Sequence, residues 1–193
     1  MTAFRLVISG VGGQGTLLAS RLLAQSAIEA GLPVKIGETY GMAQRGGPVM
    51  GNIQIGGEAH NPQIREGEAD ALLAFEPAEA VRRGVAFLKE GGLALVNSRA
   101  TAPVEVISGM RAYPDMDKLM ALLGEVTERI VSFDATALAE EAGDPIARAQ
   151  VMKESLRPRY YELNLKAFQL GKRTFEAAMK NRGSLQSGGP GET

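Results

Sequence analysis

A glycine-rich turn near the start of this chain fixes what its first third can fold into. Gly10-Val11-Gly12-Gly13-Gln14-Gly15 follows the β-rich run Phe4–Ser9 and opens a run from Thr16 to Ala30. In that second run Leu17, Leu18, Leu22, Leu23, Ala27 and Ile28 recur at helical spacing until Gly31 stops them. Pro33–Gly37 is then a second strand. A strand, a helix of this length and a strand make a βαβ unit, whose two strands run parallel. Glycine permits the sharp turn and lets backbone approach a ligand. The helix it opens points free N–H groups and a positive dipole at that same place, which suits an anion.

Val49–Ile55 alternates and ends at Gly56-Gly57, which predicts a strand with one face exposed, turning into an antiparallel edge. Ala69–Phe75 is continuously apolar, as buried parallel strands are. Glu76-Pro77 opens a helix through Leu88, closed by Gly91-Gly92, and Leu93–Val96 is another buried strand. Val104–Ile107 is a weaker strand. Asp115 begins a helix to about Leu123, Arg129–Phe133 is the last strand, and Asp134 can cap the helix after it. Asp144-Pro145 opens another helix, and Pro158 precedes a long one reaching about Lys180, with Tyr161, Leu165, Phe168, Phe175 and Met179 as its apolar stripe. The expected class is α/β: a Rossmann-like, mostly parallel sheet with helices on both faces and a long C-terminal helix. Residues 1–182 form a single domain in this reading, and the Gly/Ser-rich residues 183–193 a disordered tail.

The 193 residues include no cysteine, so disulfides, thiolate zinc sites and iron–sulfur ligation are all excluded for this chain. Net charge is −1, which gives no global field for nucleic acid or an anionic membrane. No apolar run is long enough to span a bilayer, and the N-terminus runs into a strand without a signal peptide, so the expected location is cytoplasmic. Residues 115–144 are acid-rich and 145–182 base-rich, a pattern that fits solvated faces or mutual packing as well as a basic face for an anionic ligand.

A second glycine segment, Tyr40-Gly41-Met42-Ala43-Gln44-Arg45-Gly46-Gly47-Pro48, lies in the loop 38–48. Arg45 carries five planar donors beside backbone with no side-chain bulk, which suits bidentate capture of a carboxylate or phosphate. Gly10, Gly12 and Gly15 also fit the dinucleotide fingerprint, and Glu38 stands about where such sites hold a ribose. That leaves two readings open at this point: a free-standing module binding NAD(P) or coenzyme A, and one part of a larger catalyst. His60 is a turn histidine in this reading, Met110, Met116 and Met120 are core filler, and Glu140, Glu141 and Asp144 form a solvated helix end.

Taken together, Gly12-Gly13-Gln14-Gly15, Tyr40-Gly41 and Gln44-Arg45-Gly46-Gly47 resemble the gamma component of the 2-oxoacid:ferredoxin oxidoreductases. The helix Tyr160–Gly171 is most similar to the small beta subunit of the indolepyruvate-type enzymes, and the likeness covers roughly residues 4–180. The resemblance implies a subunit that supports oxidative decarboxylation of a 2-oxoacid, an indolepyruvate or other arylpyruvate, to an acyl-CoA. It implies no catalytic residue and no metal ligand here. Gly10, Gly12, Gly13, Gln14, Gly15 and Glu38 then contact a cofactor or a partner, as do Tyr40, Gly41, Gln44, Arg45, Gly46 and Gly47. It places thiamine diphosphate, magnesium and iron–sulfur clusters on a large partner subunit, reaches ferredoxin only indirectly, and allows this chain a contact with coenzyme A.

Overall fold

The computed structural model describes residues 3–40, 47–57, 61–102, 106, 108–142, 169–174, 176, 177 and 180. The chain divides into two units, Met1–Asp134 and Ala135–Thr193. The first unit runs β1 Phe4–Val11, α1 Thr16–Glu29, β2 Val34–Tyr40, β3 Pro48–Ile55, β4 Ala69–Ala74, α2 Pro77–Phe87, β5 Leu88–Asn97, α3 Met116–Gly124 and β6 Ile130–Phe133. The strands form one sheet in the order β2-β3-β1-β4-β5-β6. β1, β4, β5 and β6 pair parallel, while β3 pairs antiparallel with both β1 and β2. Every strand but β3 therefore runs in one direction, and the sheet is mixed by that single strand.

β3 departs from its expected position. β1 and β2 do run parallel, but the crossover through α1 overshoots by one place and β3 fills the gap. β3 is thus central and β2 takes the edge. Residues Val49 to Gln54 are buried on both faces, with Ile53 on the α1 side and Met50 in the core on the opposite side. The alternation of Val49–Ile55 reflects which face each residue meets, not exposure. β2 also runs further than expected, because each residue from Val34 to Tyr40 has a partner on β3.

Alternation along the parallel strands builds two cores. Leu6, Ile8 and Ala71 face Leu23 of α1, whereas Val7, Leu72, Ala74 and Val96 face Ala80 of α2 and Leu123 of α3. The stop of α2 also differs from expectation. Leu88 leaves the helix in extended geometry and pairs with Ala69, while Ala71 pairs with Leu93. Burial of Leu88 in the core wins over helix continuation, and the intervening residues bulge out with Gly91 at positive φ. Met120 packs on the core as expected, but Met110 is 78% exposed and fills nothing. The strand expected at Val104–Ile107 lies outside the described residues except Val106, which is helical.

At the amino edge of the sheet, Asp70 joins three strands. Its carboxylate accepts from the Arg5 amide of β1 at 2.7 Å and pairs with Lys89 of β5. Burial works against its charge, but Lys89 and Arg5 outweigh burial and hold the carboxyl below the usual aspartate range. The folded-state value is the depressed one, so the stabilisation is complete above the unfolded pKa of about 3.9 and is lost as pH falls through the folded value. Asp70→Asn should accordingly lower Tm at neutral pH, with the gap to wild type closing in acid; a gap constant from pH 7 to pH 3 would show that the charge contributes nothing.

In the second unit α4 spans Ala135–Ala142. Residues 169–174, 176, 177 and 180 are helical, within the C-terminal helix expected to reach Lys180, and Lys172 pairs with Glu176 one turn on at 3.8 Å. Tyr161, Leu165, Phe168, Phe175 and Met179 of the expected stripe, together with Asp144 and the tail from 183, lie outside the described residues.

Candidate functional site

The two glycine segments come together at the carboxyl edge of the sheet. Gly10 pairs with Val49 and Val11 with Pro48, and Tyr40 meets Val49 from the other side. The Gly12 amide donates to the Gly47 carbonyl at 2.8 Å. The Gly47 end of the second loop is therefore tied to the first turn, and its Tyr40 end to β3. Gly41, Gln44, Arg45 and Gly46, like His60, lie outside the described residues. α1 leaves β1 toward one face of the sheet and α2 leaves β4 toward the other, so the reversal of strand order falls between β1 and β4. Open α/β sheets gather their ligands at that point.

Not all of the turn is available to a ligand. The amides of Gly12 and Gln14 are spent on the Gly47 and Val11 carbonyls. Those of Gly13, Gly15 and Thr16 find no acceptor among the described residues. Gly13 has φ of +107°, and Gly15 sits left-handed at the N-cap of α1 with no side-chain cap. Only glycine adopts such φ values at little cost. Thr16, the first helical residue, is buried with its hydroxyl unpartnered. The result is a helix N-terminus whose donors are unsatisfied, with an orphaned hydroxyl beneath them.

The crevice between β1 and β4 is closed by the chain itself. Gln14 Oε1 accepts from the Val11 amide at 2.7 Å, and its Nε2 donates to the Phe75 carbonyl at 3.2 Å and to Thr101 Oγ1 at 3.0 Å. Asn97 Nδ2 donates to the same Phe75 carbonyl at 3.1 Å. A Cβ on Gly10 would stand 2.8 Å from Thr16 Oγ1 and 2.9 Å from Gln14 Oε1. Gly10 thus makes room for neighbouring side chains, where a dinucleotide site would keep that room for pyrophosphate. Glu38 lies inside β2, not after it, and its carboxylate accepts from Arg21 at 3.3 Å.

Directly after Phe75 stands a polar cluster that sequence reasoning missed, buried at Glu76 and Glu79 and half-buried at Tyr113. Glu76 caps α2 by accepting from the Glu79 amide at 2.9 Å, a role that Glu76-Pro77 signals. Tyr113, which carries no local signal, donates to the Glu76 carboxylate and accepts from the Ala78 amide at 3.3 Å. Burial and then the bond to Glu76 raise the Tyr113 hydroxyl well above its ordinary pKa, so it stays protonated. Burial likewise raises Glu79, against the pull of Arg82 and Arg83. The cluster fastens the segment before α3 to the start of α2.

Residues 5–174 match the family described as pyruvate ferredoxin/flavodoxin oxidoreductase. The chain belongs to that family. Among its curated relatives is indolepyruvate oxidoreductase subunit IorB of Thermococcus kodakarensis, 36% identical over 89% of this chain and 95% of the relative. IorB of Archaeoglobus fulgidus is also 36% identical, over 86% and 92%. The gamma subunit of a keto/oxoacid ferredoxin oxidoreductase from Geobacter sulfurreducens has the same fold, with a TM-score of 0.61 at 22% identity over 90% of this chain and 99% of that one. This member of the pyruvate ferredoxin/flavodoxin oxidoreductase family is a subunit of a 2-oxoacid:ferredoxin oxidoreductase, as its relatives are named. Among the described residues no helix is long and apolar enough to cross a membrane.

Proposed function

We propose that this chain is the small, non-catalytic subunit of an indolepyruvate-type oxidoreductase, and that its carboxyl edge is the face offered to the partner and to coenzyme A. The carrying observation is the bond from the Gly12 amide to the Gly47 carbonyl, which brings the described end of the second glycine segment to the first. The unsatisfied amides of Gly13, Gly15 and Thr16 and the α1 dipole support an anion there, and a coenzyme A phosphate is the anion the reaction brings. The sequence has no cysteine for an iron–sulfur cluster. In this reading thiamine diphosphate, which supplies the carbanion chemistry of such enzymes, is held with the iron–sulfur clusters by a large partner subunit, and ferredoxin is reached through it. Substrate choice, arylpyruvate by likeness to the indolepyruvate relatives, then lies with that partner too.

Arg45 tests the surface. Its glycine neighbours suit an arginine that is desolvated across an interface, where such a residue can be an anchor. Arg45→Ala should leave the melt of the free subunit nearly unchanged and weaken assembly with the partner by about 2 kcal/mol or more. Arg45→Lys should not fully restore it, since an ammonium lacks the planar fork. A large drop in Tm with assembly intact would make Arg45 structural and remove the anchor.

A further inference from the structure

Gln14 spends its whole side-chain amide inside the chain. Its oxygen takes the Val11 amide, and its nitrogen gives one hydrogen to the Phe75 carbonyl and one to Thr101 Oγ1. These partners belong to β1, to the end of β4 and to the segment after β5, so one side chain crosses the place where strand order reverses. The bonds use an acceptor and two donors, which only an amide of this length supplies. Gly10 leaves the space in which the carbonyl end lies.

We propose that Gln14 is a positioning residue of the subunit, touching neither coenzyme A nor the partner. It holds the glycine turn in the conformation that leaves the Gly13, Gly15 and Thr16 amides without an acceptor among the described residues. The functional part of this inference rests on the coenzyme A reading above; the positional part does not. A carboxylate at position 14 keeps the acceptor for Val11 but sets oxygen against the Phe75 carbonyl. Protonation returns one O–H donor, so the fault is reversible with pH. An aliphatic residue removes both functions at every pH.

The test compares wild type, Gln14→Leu and Gln14→Glu by amide hydrogen exchange in the intact chain. The reporters are the Gly12 and Gln14 amides, whose acceptors are backbone carbonyls and not the Gln14 side chain. Gln14→Leu should speed their exchange about tenfold relative to wild type at all pH values, with the central strand amides unchanged. Gln14→Glu should match it at pH 7 and return toward wild type as pH falls toward the carboxyl pKa, about 4.3 unperturbed. Exchange at Gly12 and Gln14 equal to wild type in both variants would overturn the proposal. So would equal acceleration across β1, β4 and β5, which marks a general staple. In the assembled complex, Gln14→Leu should raise KM for coenzyme A severalfold with kcat little changed. A loosened turn with unaltered KM would keep the positioning role and remove the coenzyme A reading alone.

Discussion

Given thiamine diphosphate, magnesium, a 2-oxoacid, coenzyme A and a dye acceptor, the purified chain alone will show no turnover above background. The full rate will appear only when the partner subunit proposed above is added. The expected contrast is the whole enzymatic acceleration, on the order of 10⁶-fold or more. Electron transfer through an iron–sulfur cluster needs thiolate ligands, and this chain has no cysteine to give them. The carboxyl edge, where ligands collect in such sheets, is lined by glycine amides and by a crevice that Gln14 closes. Reduction of the dye by the chain alone, after removal of trace partner, would mean that the chemistry resides here and that the division of labour is wrong.

The largest loss of stability should come from Leu123→Ala. Leu123 is fully buried on α3, in the core shared by Val7, Leu72, Ala80 and Val96. Deleting such a side chain costs about 2–5 kcal/mol, with the upper end where neighbours cannot collapse into the space. Here a neighbour can be supplied. A Cβ on Gly84 of α2 would lie 2.4 Å from Leu123 Cδ1 and 3.3 Å from Leu72 Cδ2. Gly84→Val alone should overpack the contact by about 1–3 kcal/mol, partly offset by the better helix propensity of valine over glycine. In the double variant the added methyl groups occupy the vacated volume. Its loss should therefore be well below the sum of the two single losses, by about 1 kcal/mol or more. Simple additivity in urea melts would show that α2 and α3 do not meet at this pair.

The sequence made the glycine turn legible because glycine pattern, preceding strand and following helix all lie within about 30 residues. The same holds for the caps at Glu76 and Asp115, whose side chains accept the amides that the local rules assign them. What local pattern did not carry was any choice made by distant partners. Val49–Ile55 alternates whether it borders solvent or lies between two strands, and only β1 and β2 decide that. Leu88 suits the end of a helix as well as the start of a strand; Ala69 across the sheet settles it. Tyr113 has nothing near it in sequence to announce that it reaches Glu76, 37 residues away. At the site, the glycines were legible as close approach, but not what approaches Gly10: Gln14 and Thr16 of the same chain. Glu38 stood in the expected stretch with the expected charge, and the placement of Arg21 on α1 redirected it.

The insertion of β3 between β1 and β2 bears on the order in which the domain forms. On a ribosome, β1, α1 and β2 emerge first, yet the two strands have no hydrogen bonds to exchange, since a vacant lane separates them. Ser20 of α1 packs where a Cβ on Gly51 would come within 2.3 Å, so part of the seat of the helix is supplied by β3. The first forty residues thus hold no ladder between β1 and β2, and Pro48–Ile55 is the strand that pairs with both. Docking of this one strand creates two ladders, so residues 4–55 hold three paired strands to whose β1 edge β4 is added.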